Sequence, residues 1–144
     1  LKATIIKVSD GDTATVRLNT LGSEVKIRFY GIDTPETKWV GHWPDQAYSF
    51  EAKHFTVNKL NNKSVDVHFT GDGSYSRCVG EIFVNGQSHS LALVKGGYAW
   101  WYSNYSPNRT DLKDAQSYAR KSKIGLWSNP NAQAPWDFRQ QHRN

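Results

Sequence analysis

The sequence predicts an α+β domain, a five-stranded barrel of the OB type accompanied by three helices. Three observations support this prediction: three alternating strands in close succession, an amphipathic helix after the third strand, and two more strands beyond that helix. Five short strands with a helix between the third and the fourth are typical of a small, partly open Greek-key barrel. Because many functions share such a barrel, the function has to be argued from the site.

The first three strands follow one another with only turns between them. Apolar and polar residues alternate over residues 4–8, 13–18 and 24–32, and turns at Asp10-Gly11 and Leu21-Gly22 separate the strands. We therefore expect an antiparallel meander. In a meander the turn before strand two and the end of strand three lie at the same edge of the sheet.

Three helices and two further strands complete the predicted domain. The first helix is predicted over residues 45–60, after Pro44, and the others over residues 88–95 and 110–122. Strands four and five are predicted at residues 64–69 and 77–84, the latter leading into an Asn85-Gly86 hairpin turn. The predicted buried face of the first helix consists of Ala47, Phe50, His54, Val57 and Leu60.

Two segments have no regular period. Residues 128–144, SNPNAQAPWDFRQQHRN, predict an irregular C-terminal tail after a single domain of residues 1–127, with only Trp136 and Phe138 expected to dock. Residues 37–44, TKWVGHWP, predict a loop with exposed aromatic side chains.

Charge and composition limit the classes of function. Eighteen Lys and Arg against thirteen Asp and Glu give a net charge of +5, which favours nucleic acid or an anionic membrane surface as partner. A single cysteine, Cys78, excludes an internal disulfide and a cysteine-based zinc site. No apolar run in the sequence is long enough to span a membrane. We expect a monomeric globular protein.

Polar residues concentrate at the end of the predicted third strand, in IRFYGIDTPET, residues 27–37. In a meander, Asp12 from the first turn and Asp33 from this strand would converge. Two carboxylates with a backbone carbonyl form an oxygen-only site, which suits Ca²⁺ or Mg²⁺ and is poor for zinc. The low charge predicts weak binding, with a Kd of about 10⁻⁴ to 10⁻³ M. Taken alone, Asp33-Thr34-Pro35 is more typical of a strand-ending turn than of a functional site.

Arg28 and Arg77 predict a phosphate site only if they act together, since each alone is typical of a solvated strand residue. Two guanidinium forks can hold phosphate oxygens through bidentate hydrogen bonds, which strengthen as negative charge builds in the transition state. Lysine lacks this planar fork. A histidine-based centre, for example His68 with His89, is a less favoured alternative, because the five histidines lack metal-ligand spacing.

Six motifs then occur in an order and spacing that resemble the staphylococcal nuclease, or thermonuclease, family. They are DGDT (residues 10–13), RFYGIDTPE (28–36), YSR (75–77), LALVKGGYAW (91–100), YSPN (105–108) and GLW (125–127). Each motif alone is weak, whereas the Arg-x4-Asp-Thr-Pro-Glu cluster with its upstream Asp-Gly-Asp and downstream Tyr-x-Arg is specific. The resemblance covers nearly the whole chain, from about Thr4 to Trp127.

The resemblance implies an OB barrel with three helices that hydrolyses phosphodiesters of DNA and RNA with Ca²⁺ and leaves 3′-phosphates. It implies that Glu36 contacts the attacking water. A carboxylate of ordinary pKa is a poor proton acceptor for water, so we expect Glu36 to orient the water more than to deprotonate it. The other implied site residues are Asp12, Asp33 and the main-chain carbonyl of Thr34 for calcium, Arg28 and Arg77 for phosphate, and Tyr75 and Tyr105 for base stacking.

The chain departs from the family pattern around the implied substrate contacts. Ser74 and Ser76 stand where lysine and glycine are common, and Lys38 is the one basic residue in the loop after Glu36. Two alternatives stay open: a non-catalytic nucleic-acid-binding OB module, and a basic structural domain whose acidic cluster only forms turns. Because the family includes secreted bacterial enzymes, we expect secretion or a cell-envelope location with any signal segment removed.

Overall fold

The computed structural model describes residues 1–37, 44–74 and 77–142, except for the side chains of residues 72–74 and 77. The predicted loop of residues 37–44 therefore lies almost entirely outside the described residues. Within them the chain forms eight strands and four α-helices. The strands are β1 Lys2–Asp10, β2 Thr13–Leu18, β3 Glu24–Phe29, β4 Ile32–Asp33, β5 Ser64–Ser74, β6 Arg77–Val84, β7 Gln87–Ser88 and β8 Trp100–Trp101. The helices are α1 Ser49–Leu60, α2 His89–Lys95, α3 Thr110–Lys121 and α4 Pro135–Gln141.

Five strands form the predicted barrel, in the order β3-β2-β1-β5-β6. Neighbours in this order pair antiparallel, and the pairings among β1, β2 and β3 are those of the predicted meander. A parallel pairing of β3 with β6 places Ile27 opposite Cys78 and Phe29 opposite Gly80, and it closes the barrel. The OB-type α+β fold is confirmed, with the barrel closed where a partly open one was expected.

The barrel interior holds the hydrophobic core. Alternate residues of the strands point inward, and Ile5, Val16 and Ile82 have no exposed surface. Leu60 from α1, Leu93 from α2 and Leu112 from α3 pack against them. Each fully buried side chain of this kind contributes about 1.5–3 kcal/mol to folding, so the three helices are fixed to the barrel by their apolar anchors.

The third strand is shorter than predicted, because the chain bends at Gly31. β3 ends at Phe29, and Ile32–Asp33 forms the separate strand β4, which pairs with Trp100–Trp101 of β8. Gly31 has a φ of +85°, and a Cβ there would lie 2.8 Å from Cδ1 of Leu112. The bend carries Asp33 away from the barrel sheet and onto a second, two-stranded sheet.

Helix α1 begins later and buries a different face than the sequence predicted. It starts at Ser49, and its buried residues are Ser49, Ala52, Thr56 and Leu60. Phe50 is 61% exposed, and His54 is exposed. A Cβ at Gly11 would lie 2.9 Å from Cβ of Ala52. Small and polar residues face the barrel because the first turn approaches the helix this closely.

Helices α2 and α3 lie within one residue of their predicted bounds, but the tail is not irregular as expected. Pro135, at the first helical position, begins α4. Trp136 and Phe138 do dock: Phe138 is 8% exposed, and the Trp136 ring stacks on Tyr102 with centroids 4.9 Å apart. The described chain thus has four helices where three were expected. None of the described helices is long and apolar enough to cross a membrane.

Candidate active site

The turn between β1 and β2 presents two aspartates in different environments. The Asp10 carboxylate accepts a 2.9 Å hydrogen bond from the Gly11 N–H, which is the turn contact expected of it. Thr56 of α1 donates a 2.6 Å hydrogen bond to the Gly11 carbonyl. Asp12, the second aspartate, is 5% exposed and points towards the end of β3. Helix α1 therefore fixes the backbone from which Asp12 projects.

The Arg28 guanidinium lies between Asp12 and Asp33. Its Nη1 is 3.1 Å from Oδ2 of Asp12, and its Nη2 donates to Oδ1 of Asp33 at 3.0 Å. Nη1 also donates to the Ile32 carbonyl at 2.9 Å. The Thr34 N–H donates to the same Asp12 oxygen at 3.3 Å. Asp12 and Asp33 converge as the meander predicted, Thr34 lies beside Asp12, and the Arg28 guanidinium bridges the two carboxylates.

Glu36 is fixed through its backbone by a residue that the sequence did not single out. Its N–H donates to Oε1 of Gln46 at 3.1 Å, and its carbonyl accepts from the Gln46 N–H at 2.8 Å. Nε2 of Gln46 also donates to the Gln133 carbonyl at 2.6 Å. Gln46 thus ties the Glu36 segment to the C-terminal segment.

Arg139 of α4 is the second residue that sequence reasoning missed. Its Nη2 donates to Oδ2 of Asp33 at 2.8 Å, and its Nη1 donates to Oδ1 of Asp33 at 3.3 Å. The same Nη1 also donates to Oε1 of Glu36. Both oxygens of Asp33 therefore accept from guanidinium groups. Pro135, followed by two aromatic residues, was the available signal for a docked helix at this position.

The carboxyl groups of the site differ in their proton affinity. Burial, reinforced by Asp12, raises the pKa of Asp10 to about 8. Burial, reinforced by Asp12 and Asp33, raises the pKa of Glu36 to about 7. Burial opposes ionisation of Asp12 as well, but Arg28 and hydrogen bonds from Thr13 and Thr34 outweigh it and lower its pKa. The expectation that Glu36 has an ordinary pKa is wrong.

The remaining predicted residues are placed less completely. Arg77 begins β6, and the next residue, Cys78, pairs with Ile27, the neighbour of Arg28. The Arg77 side chain and Tyr75 lie outside the described residues. Tyr105 is 67% exposed, with its ring 4.8 Å from that of Tyr102. Their roles toward phosphate and bases stay predictions.

The two histidines of the alternative centre have different partners. His89 is 3% exposed and lies 3.0 Å from the Thr56 hydroxyl, in contact with Phe29 and Phe55. The His68 ring packs on Phe83, with centroids 4.5 Å apart. The contacts of His89 are those of a buried structural histidine. The contact of His68 is that of a strand residue packed on an aromatic neighbour.

The chemistry of the donor atoms fits a hard cation. Asp12, Asp33 and the Thr34 carbonyl supply only oxygen, the ligand type that Ca²⁺ and Mg²⁺ prefer. Among the described residues, no group of three or more His, Cys, Asp or Glu side chains is arranged to hold a metal ion. A cation here would therefore depend on two carboxylates, one carbonyl and water.

The chain is therefore a closed OB-type barrel protein. At one edge of the barrel lies a buried site composed of aspartates, arginines and one glutamate. A family model described as "Staphylococcal nuclease homologue" matches residues 26–129. The chain belongs to this family.

Several curated proteins are similar to the chain over most of its length. An "Uncharacterized endonuclease" of Haemophilus influenzae is 32% identical over 139 residues, which cover 96% of this chain and 73% of that protein. A "Micrococcal nuclease" of Shigella flexneri is 28% identical over 150 residues, covering 97% and 81%. The "Staphylococcal-like nuclease CAN1" of Arabidopsis thaliana is 32% identical over 123 residues, covering 85% and 36%. The chain thus spans about a third of the length of the plant relatives it matches.

Proposed function

We propose that the protein is a calcium-dependent nuclease that hydrolyses phosphodiester bonds of DNA and RNA with little sequence or sugar specificity and leaves 3′-phosphate ends. The proposal rests on one observation, the convergence of Asp12, Arg28, Asp33 and Glu36. Arg28 contacts both aspartates, and Arg139 contacts Asp33 and Glu36. Folding alone does not require so many charged groups in one buried place, because each one carries a desolvation cost. Membership of a nuclease family and the names of the relatives support the nuclease activity itself.

Asp12, Asp33 and the Thr34 carbonyl are the residues that would hold the calcium ion. When bound, the ion supplies Lewis-acid chemistry, neutralising charge on the phosphate as negative charge develops. The fit lies in the oxygen-only donor set and in the closeness of the Thr34 backbone to Asp12. With only two carboxylates the affinity is expected to be weak.

Glu36 is proposed to bind the attacking water and to take up its proton. The two backbone hydrogen bonds to Gln46 fix the position from which its carboxylate extends, and a fixed base holds a water in line for attack. Arg28, with its fork already oriented by the Ile32 carbonyl, is proposed to stabilise charge on the phosphate oxygens, together with Arg77. Tyr75 and Tyr105 are proposed to stack on bases, which is tolerant of sequence.

Two further parts of the proposal concern the protein's surroundings. A weak calcium site works where calcium is at about millimolar concentration, as outside cells, so we propose secretion or a cell-envelope location. We also propose that the protein acts as a monomer. Fractionation of the source cells and light scattering of the purified protein test these two points.

The deciding experiment is incubation of single-stranded DNA and of RNA with the protein, in Ca²⁺ or in a chelator. We expect cleavage of both substrates only with Ca²⁺, and phosphatase-sensitive 3′ ends on the products. Asp33→Asn should lose the activity and weaken calcium binding in a calorimetric titration, whereas Asp114→Asn, an exposed change on α3, should keep both. If the unmodified protein cleaves neither substrate with Ca²⁺, the nuclease proposal is wrong. Binding of oligonucleotides without cleavage would then favour the non-catalytic module.

A further inference from the structure

Helix α4 is fastened to the segments that carry the candidate site. The Trp136 ring stacks on Tyr102 and meets Trp100 edge-on, with centroids 5.6 Å apart. Trp100 is the residue of β8 that pairs with Asp33. The Gln133 carbonyl, just before the helix, accepts from the Gln46 side chain that holds Glu36. The helix therefore has a defined position beside both Asp33 and Glu36.

Arg139 projects from this helix into the site, and its side chain is 18% exposed. In the described part of the structure, its hydrogen bonds go to carboxylate oxygens of Asp33 and Glu36. Arg28 differs, because it also donates to the main-chain carbonyls of Ile32 and Phe29. Arg28 is thus held by the backbone as well as by Asp12 and Asp33, whereas among the described residues the hydrogen bonds of Arg139 go to groups that the proposed reaction uses.

We propose that Arg139 is a further phosphate-binding arginine of the active site. It rests on Asp33 and Glu36 in the free protein and exchanges its Asp33 contacts for the scissile phosphate when substrate and cation are bound. This inference rests on the nuclease function proposed above, and it adds a substrate contact supplied by the C-terminal helix.

The exchange of Asp33 for phosphate as the partner of Arg139 follows from the hydrogen bonds that Asp33 already accepts. Both of its oxygens accept from guanidinium groups, and Oδ1 accepts from Arg28 as well as from Arg139, so a cation on Asp33 competes with Arg139 for the lone pairs of this carboxylate. The released N–H groups need new acceptors, because an unpaired charged donor in a mostly buried place is costly. A phosphodiester offers two oxygens with the spacing of a guanidinium fork. Phosphate is therefore the acceptor that can replace Asp33 without leaving the fork unpaired.

A purely structural role for Arg139, that of docking α4, does not explain why it binds Asp33 and Glu36. The helix is already docked by Phe138, which is 8% exposed, and by the stacked ring of Trp136. An ion pair to one exposed carboxylate would add little to that docking. Arg139 instead binds the two carboxylates to which the proposed mechanism assigns cation binding and proton transfer.

The test uses the full chain with Arg139→Gln, Arg139→Lys and, as a matched control, Lys121→Gln on the exposed side of α3. Calorimetric titration with Ca²⁺ alone should show roughly tenfold tighter binding to Arg139→Gln, because a cationic competitor for Asp33 is gone. In saturating Ca²⁺, a cleavage-resistant phosphorothioate oligonucleotide should bind Arg139→Gln roughly tenfold or more weakly, since charge-assisted hydrogen bonds are lost. Arg139→Lys should fall between, because it keeps the charge without the fork. Lys121→Gln should match the unmodified protein in both titrations.

Near-ultraviolet circular dichroism, to which the stacked Trp136 and Tyr102 rings contribute, checks that α4 stays docked in each variant. If α4 undocks in Arg139→Gln, the two titrations of Arg139→Lys decide the proposal. Unchanged oligonucleotide affinity in a docked variant overturns the proposal. If calcium binds more tightly to such a variant but the oligonucleotide affinity is unchanged, Arg139 only competes with the cation for Asp33 and does not bind phosphate. If the unmodified protein shows no calcium-dependent cleavage, the nuclease proposal fails separately, and the two titrations still decide whether Arg139 contacts phosphate.

Discussion

The hydroxyl of Thr56 donates a 2.6 Å hydrogen bond to the carbonyl of Gly11, inside the turn that carries Asp12. Nε2 of His89 lies 3.0 Å from the same hydroxyl. Because the single hydroxyl proton goes to Gly11, His89 has to be the donor, through an Nε2–H tautomer. This buried chain links α2 and α1 to the turn, so the position of Asp12 depends on two helices outside the site.

Replacing Thr56 by valine tests this link, since valine has nearly the same shape without the hydroxyl. The Gly11 carbonyl and the His89 N–H would both lose their partner, and we expect a loss of about 1–3 kcal/mol in the free energy of unfolding. Urea unfolding measures it. Thr56→Ser keeps the hydroxyl and is the control, expected to lose less. Equal stability of the valine and serine variants would show that the chain of hydrogen bonds is unimportant.

His89 predicts a dependence of stability on pH. Burial, with a smaller effect of Lys59, lowers the pKa of His89 to about 4. Between pH 6.5 and 4 the unfolded chain binds a proton there that the folded protein does not, so stability is lost as the pH falls through this window. The total is roughly 3 kcal/mol. His89→Gln keeps a donor but does not titrate, so its unfolding free energy should fall less over this range. If the unfolding free energy of His89→Gln fell as steeply as that of the unmodified protein, His89 would not be the source of this dependence.

Arg28 is expected to be needed for turnover. Lysine at this position keeps the charge but loses the fork that spans Asp12 and Asp33. We expect Arg28→Lys to lower kcat by about a hundred- to a thousandfold, the scale of a lost charge-stabilising donor. Lys26→Gln, an exposed change two residues earlier on β3, is the control. Unchanged cleavage of labelled DNA by a folded Arg28→Lys protein would remove Arg28 from the mechanism. From the sequence alone, we expect the same loss of kcat when Arg77 is replaced by lysine.

The convergence of Asp12 and Asp33 was predictable because it depends on local signals. Alternation and glycine turns define a meander, and a meander brings its first turn to the end of its third strand. The break at Gly31 was not foreseen, although the strict alternation of β3 ends at Phe29 and Ile32 is out of phase with it. The space beside Gly31 is filled by Leu112, far along the chain, and this packing is not visible in the local sequence.

The α1 face and Arg139 were missed for a different reason. Apolar periodicity selected Phe50 and His54, but the close approach of Gly11 requires small Ala52 on the inner face, and that approach is a tertiary fact. The Arg139–Asp33 pair joins residues 106 positions apart. Side-chain pairs at such separation leave no periodic pattern in the sequence, so only the docking of α4 reveals them.

Gly31 and Gly22 provide a matched test of the bend that positions Asp33. Both have positive φ, +85° and +71°, but a Cβ at Gly31 would lie 2.8 Å from Cδ1 of Leu112, whereas a Cβ at Gly22 meets nothing within 4 Å. Alanine at Gly22 therefore adds only backbone strain, about 1 kcal/mol. Alanine at Gly31 adds the same strain and also displaces a buried leucine, for a further 1–3 kcal/mol or so.

We therefore expect Gly31→Ala to lose at least about 1 kcal/mol more unfolding free energy than Gly22→Ala in urea. Because the Gly31 carbonyl also accepts from the Tyr102 N–H at 2.8 Å, a shift of the bend moves β8 with β4. Gly31→Ala should thus weaken calcium binding in a calorimetric titration, and Gly22→Ala should not. Equal losses in the two variants would mean that Leu112 yields freely and that the bend does not hold Asp33 in place.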